Sequence, residues 1–232
     1  MSVDSAPRTV VIDPGAAGSV GLVAEHLAAL AEAAGRASQY AATVSSWGAE
    51  LAHRYENGAH LIACGNGGSA AEAQHLTGEL VGRFRHDRRP LPAVALCADS
   101  AAHTAIANDY GFDEVYARQV TAWGRPGDVL VAFSTSGTSP NVVAAAKAAL
   151  EAGVTVWALT GPGPNPLTER ADESLTVDAS STSVIQEVHL MLLHAVCAAV
   201  DARLVPPPDA GPAVRGASGA RADGAAVRAG VA

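Results

Sequence analysis

The apolar residues of this chain change their period near residue 60. From Val20 to Glu56 they recur at steps of three and four: Leu22, Leu27, Leu30 and Ala31, then Tyr40, Val44, Trp47, Leu51 and Tyr55. That spacing predicts amphipathic helices, divided at Gly35 and closed by Asn57–Gly58. Beyond this point short, continuous apolar runs alternate with helical stretches. The runs predict strands at 60–64, 92–97, 128–134, 155–160 and 173–178. Between and after them the pattern predicts helices at 69–84, 99–111, 112–124, 140–153 and 181–204, with a short helix at 165–171. Ser69 takes the N-cap place of the first of these, with Glu72 three residues on, and Pro140 and Gly153 bracket the helix at 140–153. Apolar strands alternating with helices imply an α/β fold, a parallel sheet covered on both faces.

The two ends lack this order. Residues 1–18, broken by Pro7, Pro14 and Gly15, predict a loose leader, and the Pro/Gly/Ala-rich stretch 206–232 predicts a tail without fixed structure. Between them lies one domain, 19–205, whose first part, about 19–57, is a helical extension. The 232 residues suffice for a single sizeable core.

Composition narrows the chemistry. A net charge of −8 with only 15 Lys and Arg argues against a partner such as duplex nucleic acid, which needs a basic face. It leaves room for a phosphorylated small molecule, which needs only a few donors. Lys147 is the sole lysine, so Schiff-base chemistry or a phosphate-loop lysine would have to use it. Cys64, Cys97 and Cys197 are odd in number, far apart and set in apolar runs, as expected of reduced thiols in a cytoplasmic protein. No signal-peptide pattern opens the chain. No apolar run is expected to reach transmembrane length, and no membrane partner is expected.

In open α/β sheets ligands bind beyond the carboxyl ends of the strands. Two such ends carry unusual loops, "GNGGS" after the strand at 60–64 and "STSGTS" at 134–139. Each precedes a helix and can offer backbone N–H groups to an anion. The first lacks the Lys–Ser/Thr of a nucleotide-binding P-loop and breaks the dinucleotide G-x-G-x-x-G spacing at Ala70; a tight strand–helix turn explains its glycines equally well. In the second, Ser134, Thr135, Ser136 and Ser139 surround Gly137, a set suited to a phosphate monoester. His75 and Glu79 lie at i and i+4 on one helix face. Gln186 and His194 lie roughly 12 Å apart along a shared face of the last helix, with Glu187 and His189 nearby. From spacing alone, acid–base use ranks above metal binding. Asn108 and Asp109 offer groups for sugar hydroxyls, or simply end a helix. The arginines of "GRFRHDRRP" at 82–90 suit a solvated helix end and loop.

The segments "GNGGSAAEAQHLTGEL", "ANDYGF", "STSGTSPNVV" and "IQEVHLMLLH", in this order, resemble the sugar isomerase (SIS) domain family and, within it, the phosphoheptose isomerases. The resemblance covers about residues 20–204. It implies a three-layer α/β/α sandwich with a five-stranded parallel sheet, N-terminal helices and a long C-terminal helix. It implies substrate contacts from Asn66, Gly67, Gly68, Ser69, Glu79, Asn108, Asp109 and Gln186, and a phosphate loop of Ser134, Thr135, Ser136 and Ser139. It further implies Glu79 and His194 as the acid–base pair, and His75, Glu79, Gln186 and His194 as ligands of one Zn2+ per subunit. Thr138 departs from the Asn frequent there. The implied reaction is aldose–ketose isomerisation of D-sedoheptulose 7-phosphate to D-glycero-D-manno-heptose 7-phosphate through a cis-enediol. The implied assembly is a homotetramer with active sites at subunit interfaces. The competing expectations are a non-catalytic SIS protein, binding a phosphosugar or the replication initiator protein, and an isomerase of another phosphosugar.

Overall fold

The computed structural model describes residues 17–205. The expected tail, 206–232, and leader residues 1–16 lie outside the described residues, but helix α1 already begins at Ala17. Two helices open the fold, α1 (Ala17–Ala37) and α2 (Ala41–Glu56). The division between them is the 3₁₀ turn Ser38–Tyr40, not Gly35, which stays inside α1. A glycine in a helix interior costs only about 1 kcal/mol, so one such residue does not end a helix.

Then follow β1 (Leu61–Cys64), α3 (Gly68–Val81), β2 (Ala93–Ala95), α4 (Ser100–Tyr110), α5 (Ala117–Trp123), β3 (Val129–Ser134), α6 (Pro140–Glu151), β4 (Thr155–Thr160), β5 (Glu173–Thr176) and α7 (Thr182–Leu204). The helix expected at 165–171 is a run of turns instead. Asn165 Oδ1 accepts the Thr168 amide, and the Thr168 hydroxyl donates back to the Asn165 carbonyl, so side chains satisfy groups that a helix would have used.

The five strands are all parallel, in the order β2-β1-β3-β4-β5. Alternate residues of the three central strands, β1, β3 and β4, enter separate cores. Leu61, Ala63, Val129, Val131, Phe133, Trp157 and Leu159 pack with α2, α3 and α7. Ile62, Cys64, Leu130, Ala132, Val156 and Ala158 pack with α5 and α6. Burial on both faces is why the strands read as unbroken apolar runs. Trp47 of α2 stacks on Trp157 of β4 with ring centroids 4.5 Å apart.

This strand order places a topological switch between β1 and β3. The chain leaves β1 toward β2 on one side and leaves β3 toward β4 on the other. Right-handed crossovers in opposite directions carry α3 and α6 to opposite faces of the sheet. The loops that start these two helices therefore flank one crevice at the carboxyl ends of neighbouring strands.

The expectation on apolar length is corrected by α7. By length and composition this helix of 23 residues, hydropathy 1.6, is long and apolar enough to cross a membrane. Half of its most apolar window is buried inside the fold, against α1, α2 and α3. Its apolar content serves the core.

Candidate active site

The two loops at the switch are tied by their amides. Asn66 Nδ2 donates to Asn141 Oδ1, and Asn141 Nδ2 donates to Asn66 Oδ1, both at 2.8 Å. Asn141, on the first turn of α6, is 1% exposed. Asn66, expected to face substrate, thus has its side chain engaged in a clamp across the crevice. Asn141 escaped the sequence reading; an amide inside "SPNVVAAA" was its only signal. Asn141→Ala removes both bonds and strands the Asn66 amide, at a cost of about 1–3 kcal/mol. A fall in Tm of several degrees is expected, roughly 2–4 °C per kcal/mol for a chain of this size. An unchanged thermal unfolding curve would show the clamp to be idle.

The glycine loop starts α3 differently from the expected cap. The N-cap is Gly67, at φ 57°, with no side-chain cap bond. Ser69 is buried within the first turn, its amide donating to the Asn66 carbonyl, and Glu72 points into the protein rather than back to a cap. Gly68 has a steric role: a Cβ there would lie 2.4 Å from Nε2 of Gln186. The missing side chain lets Gln186 of α7 reach the N-terminus of α3. Tyr116 closes the loop from behind, its hydroxyl donating to the Gly65 carbonyl. Burial raises the Tyr116 phenol well above its usual range, so it remains a donor.

The hydroxyl loop is preformed. Ser134, 3% exposed, ends β3; its Oγ accepts the Gly137 amide and lies 3.1 Å from Oγ of Ser139. Ser136 Oγ accepts from the amide and hydroxyl of Thr138. Ser139 is the N-cap residue of α6 and Pro140 follows it. The Thr135 carbonyl accepts the Gly161 amide, and the Gly137 carbonyl accepts the Leu167 amide. The turns after β4 thereby brace the loop. Thr135 and Ser136 remain partly or fully exposed at its rim.

Two helices from one side of the sheet supply the reactive groups. His75 and Glu79 of α3 meet His194 of α7. Nε2 of His75 lies 2.8 Å from Nε2 of His194 and 3.3 Å from Oε1 of Glu79. One ligand atom from each residue falls within a 4.8 Å set. Phe84 stacks on the His194 ring at 5.6 Å, fixing its plane. The set stays open to solvent, with the His75 side chain 42% and the Glu79 side chain 24% exposed.

Two imidazoles and a carboxylate, with ligand atoms this close, form a group that could hold a metal ion. Cys197 lies close by but takes no part: burial, with the Glu79 and Asp201 carboxylates adding to it, pushes its thiol up to about 12. That thiol stays neutral and is a poor nucleophile.

Arg83, Arg85 and Arg89 are exposed, as expected of a solvated helix end and loop, but Arg88 is not. Its guanidinium is 3% exposed and pairs with Asp201 of α7 at 2.8 Å. It also donates to the carbonyls of Glu79 and Leu80 at the end of α3. The turn that carries Glu79 is therefore held from its C-terminal end. Asn108 and Asp109 stand exposed on the last turn of α4 and bond to each other. None of their bonds among the described residues reaches the other candidate residues.

The parallel five-stranded sheet, with two loops at its switch point and a His/Glu cluster on the neighbouring helices, places the chain among open α/β domains that bind ligands at strand ends. The SIS domain model matches residues 24–161, and the chain belongs to the SIS domain family, in its phosphoheptose isomerase branch. It is 54% identical over 204 residues to the phosphoheptose isomerase of Streptomyces coelicolor, covering 88% of this chain and 84% of that one. It is 55% identical over 152 residues to that of Bordetella avium, covering 64% and 77%. The solved phosphoheptose isomerase of Neisseria gonorrhoeae superposes with a TM-score of 0.73 at 44% identity, covering 78% of this chain and 98% of that one. That of Francisella tularensis gives 0.75 at 32%, covering 79% and 98%.

Proposed function

We propose that the protein is an aldose–ketose isomerase that converts D-sedoheptulose 7-phosphate to D-glycero-D-manno-heptose 7-phosphate, at the start of nucleotide-activated heptose synthesis. The convergence of His75, Glu79 and His194 on the helix pair beside the switch-point crevice carries this reading. The similarity to phosphoheptose isomerases over most of both chains supports it.

The phosphate sits in the loop of Ser134, Thr135, Ser136 and Ser139. Hydroxyls, amides and the α6 N-terminus hold it without a lysine. The sugar extends over Gly67, Gly68 and Ser69 toward Gln186. Glu79 takes the C1 proton of the open-chain ketose. His194 moves a proton at C2 and between the two oxygens as the cis-enediol forms and collapses. His75, Glu79, Gln186 and His194 would hold Zn2+, which when bound supplies Lewis-acid polarisation of the O1/O2 edge. A positioned general base contributes about 10²–10⁴-fold, and polarisation of the enediolate adds to it.

The active assembly is a homotetramer with sites at subunit interfaces. Leu22, Val23 and Leu27 of α1 and Leu190 and Met191 of α7 are exposed and apolar, as interface residues would be. The exposure of Asn108 and Asp109 suits a sugar contact completed between subunits.

The test is purified protein with sedoheptulose 7-phosphate, followed by NMR for the aldose with and without chelator. Turnover that chelator removes and zinc restores is expected. Folded, zinc-supplied protein that produces no aldose would sink the proposal.

A further inference from the structure

A second acid–imidazole pair lies one turn from the ligand positions on both helices. Glu72 precedes His75 by three residues on α3, and His189 follows Gln186 by three on α7. The side chains of His189 and Glu72 are 0% and 8% exposed, and Nδ1 of His189 lies 3.6 Å from Oε2 of Glu72. The other ring nitrogen, Nε2, lies 3.1 Å from the Thr160 carbonyl at the end of β4. A carbonyl only accepts, so Nε2 carries a proton. Oε2 of Glu72 and Nδ1 of His189 have no hydrogen-bond partner among the described residues. An ionised carboxylate facing a bare ring nitrogen would oppose two buried acceptors. A single proton between them turns that conflict into an attractive contact across 3.6 Å.

We propose that Glu72 and His189 are positioning residues for the isomerase reaction: a buried carboxyl–imidazole pair sharing one proton that fixes α3 against α7 and β4, and so sets the approach of His75 and Glu79 to His194. This rests on the isomerase reading above. The ligand set draws on two separate helices, so its geometry is only as good as their spacing. Two polar struts bracket the three members that meet, His75, Glu79 and His194. Glu72–His189 stands toward the N-terminal ends of both helices, and Arg88–Asp201 closes their C-terminal ends. Misplacement by about 1 Å can cost on the order of 10² in rate.

Three proteins decide it: wild type, Glu72→Ala and Glu72→Gln. The glutamine amide can donate to a bare Nδ1 and so keeps an attractive contact, and Glu72→Gln is expected to keep kcat within about twofold. Glu72→Ala is expected to lower kcat on the order of 10²-fold. Its KM should hold within about threefold, a loss of transition-state positioning rather than of uniform binding, because the phosphate loop belongs to β3 and α6. Zinc affinity, read by competition with a chromophoric chelator, should fall about 10–100-fold in Glu72→Ala alone. Wild-type kcat and zinc affinity in Glu72→Ala would overturn the proposal. So would a Glu72→Gln variant that unfolds or is as impaired as Glu72→Ala. The zinc titration needs no turnover. A wild type inactive on the heptulose phosphate would therefore refute the assigned reaction while the titration still judged the pair.

Discussion

Glu79→Gln is expected to reduce turnover by at least about 10²–10⁴-fold while phosphosugar binding survives. The substitution keeps the shape of the side chain and one carbonyl oxygen, so the cluster with His75 and His194 loses little packing. It removes the group that can accept a carbon-bound proton. Glu79 is placed for that task by three features of the fold. It stands one turn after His75, with Oε1 3.3 Å from that ring. Its own carbonyl is held by Arg88. It is a quarter exposed, so substrate can reach it. Binding should persist because the phosphate loop belongs to β3 and α6, on other elements. The decisive measurements are kcat by NMR, exchange of solvent deuterium into C2, and calorimetric binding of sedoheptulose 7-phosphate. Near-normal kcat in the variant would show that another residue is the base.

Gly137→Ala is expected to act on the other half of the site. Gly137 has φ +65°, and a Cβ there would lie 2.1 Å from Cγ and Oδ1 of Asn165. Asn165 cannot easily move. It is 6% exposed, donates to the Thr160 hydroxyl and the Pro162 carbonyl, and accepts the Thr168 amide. The left-handed backbone adds strain of about 1–2 kcal/mol for any residue with a Cβ. The loop must therefore open, and destabilisation on the order of 3 kcal/mol should follow from strain together with lost buried bonds. If this loop seats the phosphate, KM rises at least about tenfold, equivalent to 1.4 kcal/mol, and kcat falls less. A folded Gly137→Ala protein with the wild-type KM would remove the loop from the phosphate site.

These two experiments probe features that were unequally visible in the sequence. The hydroxyl loop announced itself, because four hydroxyl side chains around a glycine directly after an apolar strand form a local pattern. Its brace, Asn165 with the turns after β4, was misread as a short helix. The competing bonds run between side chains and backbone, and helical propensity does not record them. The His75–Glu79 spacing was legible because a helix places i and i+4 together whatever surrounds it. Its partner His194 lies 119 residues away, and the bottom-up pattern could only mark it as polar in an apolar helix. The family resemblance named it as a partner, and packing of α3 on α7 brought the rings together.

Several local inferences were reversed by long-range contacts. Glu72 fits the third place of a capping box, yet it turns inward because His189 waits there and Gly67 already starts the helix. The arginines of 82–90 look solvated by composition. Arg88 is buried because Asp201 and two helix-end carbonyls together satisfy its guanidinium, and a buried charge is tolerable only on such terms. The Asn66 side chain, which the sequence alone leaves without a partner, is tied to Asn141 across 75 residues.

The class of the fold is legible in the residue pattern alone. Strand and helix periods are set by backbone geometry over a few residues, so they survive translation into one dimension. The residue types on hand for an anion and for proton transfer are legible there too. Which of them meet follows from the packing of distant elements. The order β2-β1-β3-β4-β5 put the two loops on adjacent strands, and the packing of α3 against α7 set His75, Glu79 and His194 within reach of one another. Those meetings depend on crossover handedness and on the burial of two sheet faces at once. Both are properties of the whole chain, and neither is written in any short stretch of it.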